Sequence, residues 1–469
     1  PTLETYKYHM AGEEAEYTHE ILIFDIKSKD IRKVQIDSIK QKTISYISGI
    51  NIHSKRTKPS SYDDEFRPTL LLSDKGKIYF NITSRDRKKM DVCRADINTG
   101  EVEVLIEERM NTYIETRPLY LIKNETEMIH WSEKDGWAHF YRHDINGNLL
   151  NRITSGPFHS DNIKYYDQKS NFLFFSAHGV NKEIDPYYEH TYKISLNGGE
   201  PKLLNKGDFN TMTYPSDNHK FFVNNFSRVN TTPKSNLINS DGSVIMNLET
   251  ADLSALFESG YKFPETFKAK ADDGITDLYG VIYKPFDFDE NKKYPLLEYV
   301  YPGPQTESVN KSFSVRMDRL DRMAQLGFIV ITLGNRGGHP DRSKWYHNYG
   351  YGNLRDYGLA DKKYVAQQLA NRHDFIDINR VGIYGHSGGG FMSTAAILVY
   401  PDFFKVAYSQ AGNHDNSIYN SWWSETHHGI LEETDDDGNI KYIYDIDKNQ
   451  SLAKNLKGHL YLVTGDMDN

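Results

Sequence analysis

The sequence has one cysteine, Cys93, and no apolar run long enough to cross a membrane as a helix. A single cysteine excludes an internal disulfide and any metal centre built from several cysteines. Basic residues are fewer than acidic ones, 56 against 65, and they are scattered along the chain. Because no basic cluster is present to neutralise phosphates, nucleic acid is not an expected partner.

The first half of the chain is rich in short strand-like segments, each closed by a turn. One pattern recurs four times: an apolar strand, a polar gap, a second strand and a turn with glycine, at Gly100, Gly147, Gly198 and Gly242. These glycines are separated by 47, 51 and 44 residues. Units of this length with several strands are typical of propeller blades. An irregular β-sandwich is the alternative, although sandwich strands need not recur at a fixed period.

The character of the sequence changes after Pro264. Strand-like segments at 278–283, 294–301, 327–333, 404–409 and 460–464 alternate with helix-like segments at 317–326 and 359–369. This alternation predicts a mostly parallel sheet with helices on both faces. We therefore divide the chain into residues 1–262 and residues 263–469.

A nucleophile motif lies in the second part. The apolar strand 381–384 runs into Gly385-His386-Ser387-Gly388-Gly389, which fits G-x-S-x-G, and a helix-like segment follows at 391–398. Strand, tight turn and helix form the context of a nucleophile elbow. The Ser387 hydroxyl would then be exposed at a helix start, where the Gly388 N–H faces a developing oxyanion. A glycine-rich turn without a catalytic role is the alternative.

Two further segments, together with this elbow, carry a resemblance. Trp131–Tyr141 fits a Ser-Glu-x-(Asp/Glu)-Gly-x-x-His pattern, and Tyr299–Pro304 reads Tyr-Val-Tyr-Pro-Gly-Pro. With these motifs the chain resembles, over essentially its whole length, the dipeptidyl peptidase IV family of prolyl-oligopeptidase-like serine peptidases. The resemblance implies a partial β-propeller followed by an α/β-hydrolase domain with a mostly parallel, doubly wound sheet.

The resemblance also assigns catalytic roles by position. Ser387 matches the nucleophile, and Tyr301 matches the tyrosine that completes the oxyanion hole beside Gly388. Asp468 matches the triad aspartate, with Asp466 as the alternative.

The same resemblance points to a substrate pocket. Tyr419 matches a tyrosine lining a proline-sized pocket, and Trp423 stands where a second aromatic is common. Asn416 falls where some members carry tryptophan, so the shape of the pocket is less defined than the chemistry. Arg117 aligns with a propeller arginine near the substrate, and a solvated surface arginine is the alternative.

Two family features have no match in the sequence. Hydrolase triads run serine, aspartate, histidine, but the histidines after Ser387 all precede Asp468; they are His414, His427, His428 and His459. The glutamate pair that binds the substrate amino terminus is also unmatched. We therefore expect an internal fragment of a longer enzyme, truncated before the catalytic histidine and inactive by itself.

The expected activity is that of a serine exopeptidase releasing N-terminal dipeptides, Xaa-Pro or Xaa-Ala, from peptides. A tripeptidyl or acylaminoacyl peptidase or oligopeptidase, and a catalytically dead scaffold for protein interaction, are the alternatives. The resemblance further implies a homodimer and a periplasmic, extracellular or cell-envelope location. We expect no cofactor or metal. The acidic run Asp435–Asn439 is similar to a calcium loop, but it lacks the closing glutamate and predicts a hairpin turn.

Overall fold

The computed structural model describes residues 8–14, 19–36, 42–46, 71–301, 304–314 and 319–466. The described residues between 22 and 250 form antiparallel sheets, each built from consecutive strands. The first two sheets contain β1 (Leu22–Phe24) and β2 (Ile31–Lys33), then β3 (Lys42–Tyr46), β4 (Leu71–Leu72), β5 (Lys77–Ser84), β6 (Lys89–Asp96) and β7 (Val102–Arg109).

Three four-stranded sheets follow. The first contains β8 (Tyr120–Ile122), β9 (Glu127–Ser132), β10 (His139–Asp144) and β11 (Leu149–Arg152). The next contains β12 (His159–Asp167), β13 (Phe172–His178), β14 (Glu189–Ser195) and β15 (Lys202–Leu203). The last contains β16 (Asn210–Pro215), β17 (Phe221–Ser227), β18 (Lys234–Asn239) and β19 (Val244–Thr250). Each predicted repeat thus corresponds to one sheet.

The glycine of each repeat lies where one sheet touches the sheet before it. A Cβ built on Gly147 would lie 2.0 Å from the carbonyl oxygen of Leu105, and one on Gly242 would lie 2.5 Å from that of Leu204. Both glycines have a positive φ, 90° and 86°, which residues with a Cβ rarely adopt. The recurring glycine therefore has two roles: it adopts the positive φ of the turn, and it allows successive sheets to pack closely.

The second part of the chain forms one seven-stranded sheet with the order β20-β21-β23-β22-β24-β25-β28. Pairing is antiparallel between β20 and β21 and between β21 and β23, and parallel in the rest of the sheet. The strands are β20 (Glu265–Lys270), β21 (Asp277–Tyr283), β22 (Tyr294–Val300), β23 (Ile329–Leu333), β24 (Ile376–His386), β25 (Phe404–Gln410) and β28 (His459–Val463). A separate hairpin of β26 (Leu431–Thr434) and β27 (Ile440–Ile443) confirms the turn predicted at Asp435.

Helices cover both faces of this sheet, as predicted. The described helices are α1 (Ser254–Glu258), α2 (Arg319–Ala324), α3 (Lys344–His347), α4 (Leu359–Arg372), α5 (Gly388–Val399) and α6 (Ser421–His428), with 3₁₀ turns at Asn348–Gly350 and Asn449–Asn455. Of these, α2, α4 and α5 pack against strands of the sheet. Leu296 and Val300 of β22 pack with α4 and α5, whereas Leu297 packs with α2. Alternate residues of a strand point to opposite faces, so β22 contributes side chains to the hydrophobic cores on both faces of the sheet. None of the described helices is long and apolar enough to span a bilayer.

Buried ion pairs join the antiparallel sheets to the second part. Arg85 donates two hydrogen bonds to the Glu425 carboxylate, at 2.9 and 2.6 Å, and the two side chains are only 10% and 6% exposed. Lys344 donates to Glu133 at 2.7 Å and to the Tyr113 carbonyl at 2.9 Å. These contacts set the position of α3 and α6 against the sheets.

Replacing Gly147 with alanine tests the role of the repeat glycine. We expect Gly147→Ala to lower the free energy of unfolding by more than about 2 kcal/mol, because the strained φ and the contact with Leu105 both oppose a Cβ. Gly274→Ala is the matched control, since Gly274 has a φ of 68° and no atom within 4 Å of its built Cβ. Chemical denaturation of both variants should show the larger loss for Gly147; equal losses would contradict the packing argument.

The buried ion pair gives a second expectation. Glu425→Gln keeps the shape of the side chain but leaves the Arg85 guanidinium buried without its counter-charge, which typically costs about 3–5 kcal/mol. Asp402→Asn is the control, because the Asp402–Lys457 pair is solvent-exposed and should leave the unfolding midpoint unchanged. A Glu425→Gln midpoint equal to that of the wild type would show that this pair does not hold the two parts together.

Candidate active site

The turn between β24 and α5 has the strained geometry of a nucleophile elbow. Ser387 has φ 55° and ψ −121°, values that a residue with a side chain rarely adopts. Its N–H donates to the Gln410 carbonyl at 2.8 Å, and its carbonyl accepts from the Phe391 N–H at 3.0 Å. These bonds hold the serine between the end of the strand and the start of the helix.

The glycines around Ser387 are required by close backbone contact. A Cβ on Gly389 would lie 2.1 Å from the carbonyl oxygen of Val300, and one on Gly385 would lie 2.4 Å from the same atom. Only glycine allows the elbow to approach the end of β22 so closely. The G-x-S-x-G pattern therefore has a steric cause in this fold.

Tyr301 lies beside the elbow. It follows Val300, the last residue of β22, and Val300 pairs with Gly385 in the sheet. The Tyr301 Cα is 3.4 Å from the position of a Cβ on Gly389, and its side chain is half-buried. Gly388, the other predicted oxyanion donor, is the first residue of α5. The structure thus brings Ser387, Gly388 and Tyr301 to one edge of the sheet.

The predicted triad aspartate, Asp468, lies outside the described residues. The strand that precedes it, β28, runs parallel to β25, and the Ala411 N–H donates to the Val463 carbonyl at 2.7 Å. The carboxyl end of β28 is therefore at the same sheet edge as Ser387. Asp466, the alternative, is an exposed turn residue.

The described histidines that follow Ser387 lie in four different surroundings. His414 Nδ1 lies 3.1 Å from the Asn449 side-chain nitrogen, and His428 donates to the Asp445 carbonyl at 2.9 Å. His427 is buried, and burial lowers its pKa to about 3, so its ring is neutral. His459 begins β28 and is exposed.

An aromatic row contains both residues predicted to line the substrate pocket. The ring centroids of Tyr419 and Trp423 are 5.8 Å apart in an edge-to-face contact. Trp423 contacts His427 at 5.3 Å, and His427 contacts Tyr113 at 5.4 Å. The row therefore extends from the loop after β25 to Tyr113, which lies in the loop between β7 and β8.

Arg117 lies apart from this row, in the loop between β7 and β8. Its guanidinium is 4.8 Å from the ring centre of Trp131 and lies 3.5 Å from Glu115 and 3.8 Å from Asp161. Burial raises the pKa of Glu115, but the hydrogen bond and charge of His347, with Lys344 and Arg117, lower it well below its ordinary value. Both the predicted substrate role and the solvated-arginine alternative stay untested.

A set of hydrogen bonds between the antiparallel sheets and the second part of the chain was not predicted from the sequence. His347 Nδ1 donates to the Gly338 carbonyl at 2.8 Å, and its Nε2 lies within hydrogen-bond distance of the Tyr113 hydroxyl. Glu307 accepts hydrogen bonds from the hydroxyls of Tyr187 and Tyr346, at 3.0 and 2.5 Å. These partners are distant in sequence and form no motif.

Comparison with known proteins agrees with this geometry. Residues 1–233 match the family model of the dipeptidyl peptidase IV N-terminal region, and residues 313–469 match that of the prolyl oligopeptidase family. Human dipeptidyl peptidase 8 is 31% identical over 297 residues, 60% of this chain and 32% of the human protein. Dipeptidyl peptidase 4 of Trichophyton equinum is 24% identical over 356 residues, 71% of this chain and 43% of that protein.

The fold is shared with a solved structure, that of Porphyromonas gingivalis dipeptidyl peptidase 4. The two superpose with a TM-score of 0.80 at 22% identity, over 98% of this chain and 61% of that one. The chain thus spans about a third of the length of its human relative. The two family models together match most of the sequence, and the chain belongs to the dipeptidyl peptidase IV family of prolyl-oligopeptidase-like serine peptidases.

Proposed function

We propose that this protein is a serine exopeptidase that releases N-terminal dipeptides from peptide substrates. The observation that carries the proposal is the strained Ser387 at the carboxyl edge of a parallel sheet, with Tyr301 and Gly388 beside it. Backbone strain of about 1–3 kcal/mol persists only where the surrounding structure enforces it, and it is typical of catalytic sites.

We assign residues 1–262 to part of a β-propeller and residues 263–469 to an α/β-hydrolase catalytic domain. The support for the propeller is the repeated contact between sheets. The hairpin glycine of one sheet meets the backbone of the preceding sheet at Gly100, Gly147 and Gly242. The same contact repeated from sheet to sheet is typical of blades arranged around an axis and not of two packed sheets.

In the proposed reaction, the Ser387 Oγ attacks the carbonyl carbon of the scissile peptide bond. Its proton passes to a histidine outside the described residues, oriented by Asp468. The Gly388 N–H and the Tyr301 hydroxyl donate to the oxyanion of the tetrahedral intermediate. The histidine then protonates the leaving amine, and water hydrolyses the acyl-enzyme in the same manner.

The proposed substrates carry proline or alanine at the second position. Tyr419 and Trp423 present adjacent aromatic rings, which suit a small apolar side chain in the pocket. Arg117 is proposed to bind a polar group of the peptide. Release of tripeptides or acyl-amino acids is the second candidate within the class. A catalytically dead scaffold is disfavoured, because such a protein has no need to hold a serine in a strained conformation.

Ser387→Ala tests the nucleophile. The exchange removes one oxygen without changing the backbone, so the unfolding midpoint should stay at the wild-type value. Hydrolysis of a Gly-Pro or Ala-Pro amide by the full-length protein should fall by several orders of magnitude. Turnover near the wild-type rate would remove Ser387 from the mechanism.

Tyr301→Phe tests the oxyanion hole. The hydroxyl should act only on charge that develops in the transition state, so kcat should fall about 10²–10³-fold while KM changes little. Tyr408→Phe is the control, because Tyr408 lies on the neighbouring strand β25 and stacks on Tyr461. Steady-state kinetics that leave the kcat of Tyr301→Phe within about threefold of wild type would assign the ring to packing alone.

A further inference from the structure

Histidines and carboxylates gather at one end of the sheet formed by β12–β15, away from the elbow. His159 of β12 pairs directly with His178 of β13, and His178 pairs directly with Glu189 of β14. Directly opposite residues in adjacent strands present their side chains on the same face. Asp161 follows His159 by two residues and lies in the β-bulge between Ser160 and Ile163. One ligand atom each of Asp161, His178 and Glu189 lies within 4.8 Å of the other two.

A residue from the second part of the chain lies beside His178 of this group. Asp341 lies in the loop between β23 and α3. One of its carboxylate oxygens is 3.7 Å from His178 Nε2, and the other is 4.0 Å from His159 Nε2. These separations exceed a hydrogen bond. They are close to the spacing of about 3.4 Å between two ligands that each bind one tetrahedral ion at about 2.1 Å.

The hydrogen bonding of His178 leaves one nitrogen able to bind a cation. His178 Nδ1 is 3.2 Å from the Tyr187 carbonyl oxygen, so this nitrogen carries the hydrogen. In the neutral ring, Nε2 then has a lone pair and faces the carboxylate of Asp341. A backbone carbonyl that orients the other ring nitrogen is the usual arrangement of a metal-binding histidine.

A second observation is independent of the three-residue group. His159 is fully buried, and neither of its ring nitrogens has a hydrogen-bond partner among the described residues. A buried polar group without a partner is costly. Its Nε2 lies 4.0 Å from the Asp341 carboxylate, which also lies 3.7 Å from His178 Nε2. A cation next to that carboxylate would give His159 a partner.

A basic side chain lies beside each carboxylate of this site. Lys164 binds Glu189 at 3.0 Å, and Arg117 lies 3.8 Å from Asp161. His339 Nδ1 lies 3.0 Å from Asp341. Asp161 and Glu189 are half-buried, so an ion can enter from solvent.

We propose that His178, Asp161 and Glu189 bind a divalent transition-metal ion of the zinc class, with Asp341 as the fourth ligand and His159 next to it. Imidazole nitrogen with carboxylate oxygen favours zinc and its neighbours over calcium or magnesium. Because Asp341 belongs to the second part of the chain, the ion links the β12–β15 sheet to the loop that leads into α3.

The test uses the purified full-length protein after treatment with a chelator. Titration with Zn²⁺ followed by calorimetry, and with Co²⁺ followed by visible absorption, should each show one saturable site. Zn²⁺ should also raise the melting temperature, because it binds the folded state. Excess Ca²⁺ should not compete.

Two variants and one control locate the site. His178→Gln and Asp161→Asn should each weaken Zn²⁺ binding at least about 10–100-fold and abolish the rise in melting temperature. His219→Gln should leave both unchanged, since His219 lies in the turn between β16 and β17 and stacks on Tyr165, near the other end of β12. If His178→Gln fails to fold, Asp161→Asn decides, because its half-buried side chain changes by a single atom. Absence of saturable Zn²⁺ binding, wild-type affinity in Asp161→Asn, or competition by Ca²⁺ would overturn the proposal.

Discussion

The active-site edge depends on one steric constraint, the contact between the elbow and the carbonyl oxygen of Val300. Gly385 and Gly389 both approach this atom so closely that neither position accepts a Cβ. The contact pulls the turn against the end of β22 and places Ser387 next to Tyr301. It also forces the serine into a left-handed conformation, because the chain must reverse from strand to helix within one residue. The same backbone contact thus determines the conformation of Ser387 and its position next to Tyr301.

A second level of organisation is the junction between the antiparallel sheets and the seven-stranded sheet. The charged groups here are buried and paired, as in Arg85 with Glu425 and Lys344 with Glu133. A buried pair requires accurate geometry, because either charge alone is strongly disfavoured by the loss of water. Such pairs therefore define one relative position of the two parts more sharply than apolar contacts would. The aromatic row from Tyr419 to Tyr113 crosses the same junction.

Local patterns explain what the sequence could predict. The four repeats, the alternating strands and helices, the Asp435 hairpin and the elbow each depend on residues within a short segment. The junction could not be predicted, because partners such as Tyr113 and His347 are far apart in the chain. The cluster of Asp161, His178 and Glu189 was missed for a related reason. Its residues lie near the ends of three strands, so the number of residues between them depends on the lengths of the hairpins. This spacing matches no sequence motif for metal binding.

The conformation of Ser387 also has an evolutionary consequence. A glycine at this position would adopt φ 55° without strain, so Ser387→Gly should release on the order of 1 kcal/mol. Mutations that replace this serine with glycine would therefore stabilise the fold, and only selection for the hydroxyl retains the serine. In a descendant freed from that selection, this residue should be among the first to change, while the glycines on either side stay because the fold itself requires them.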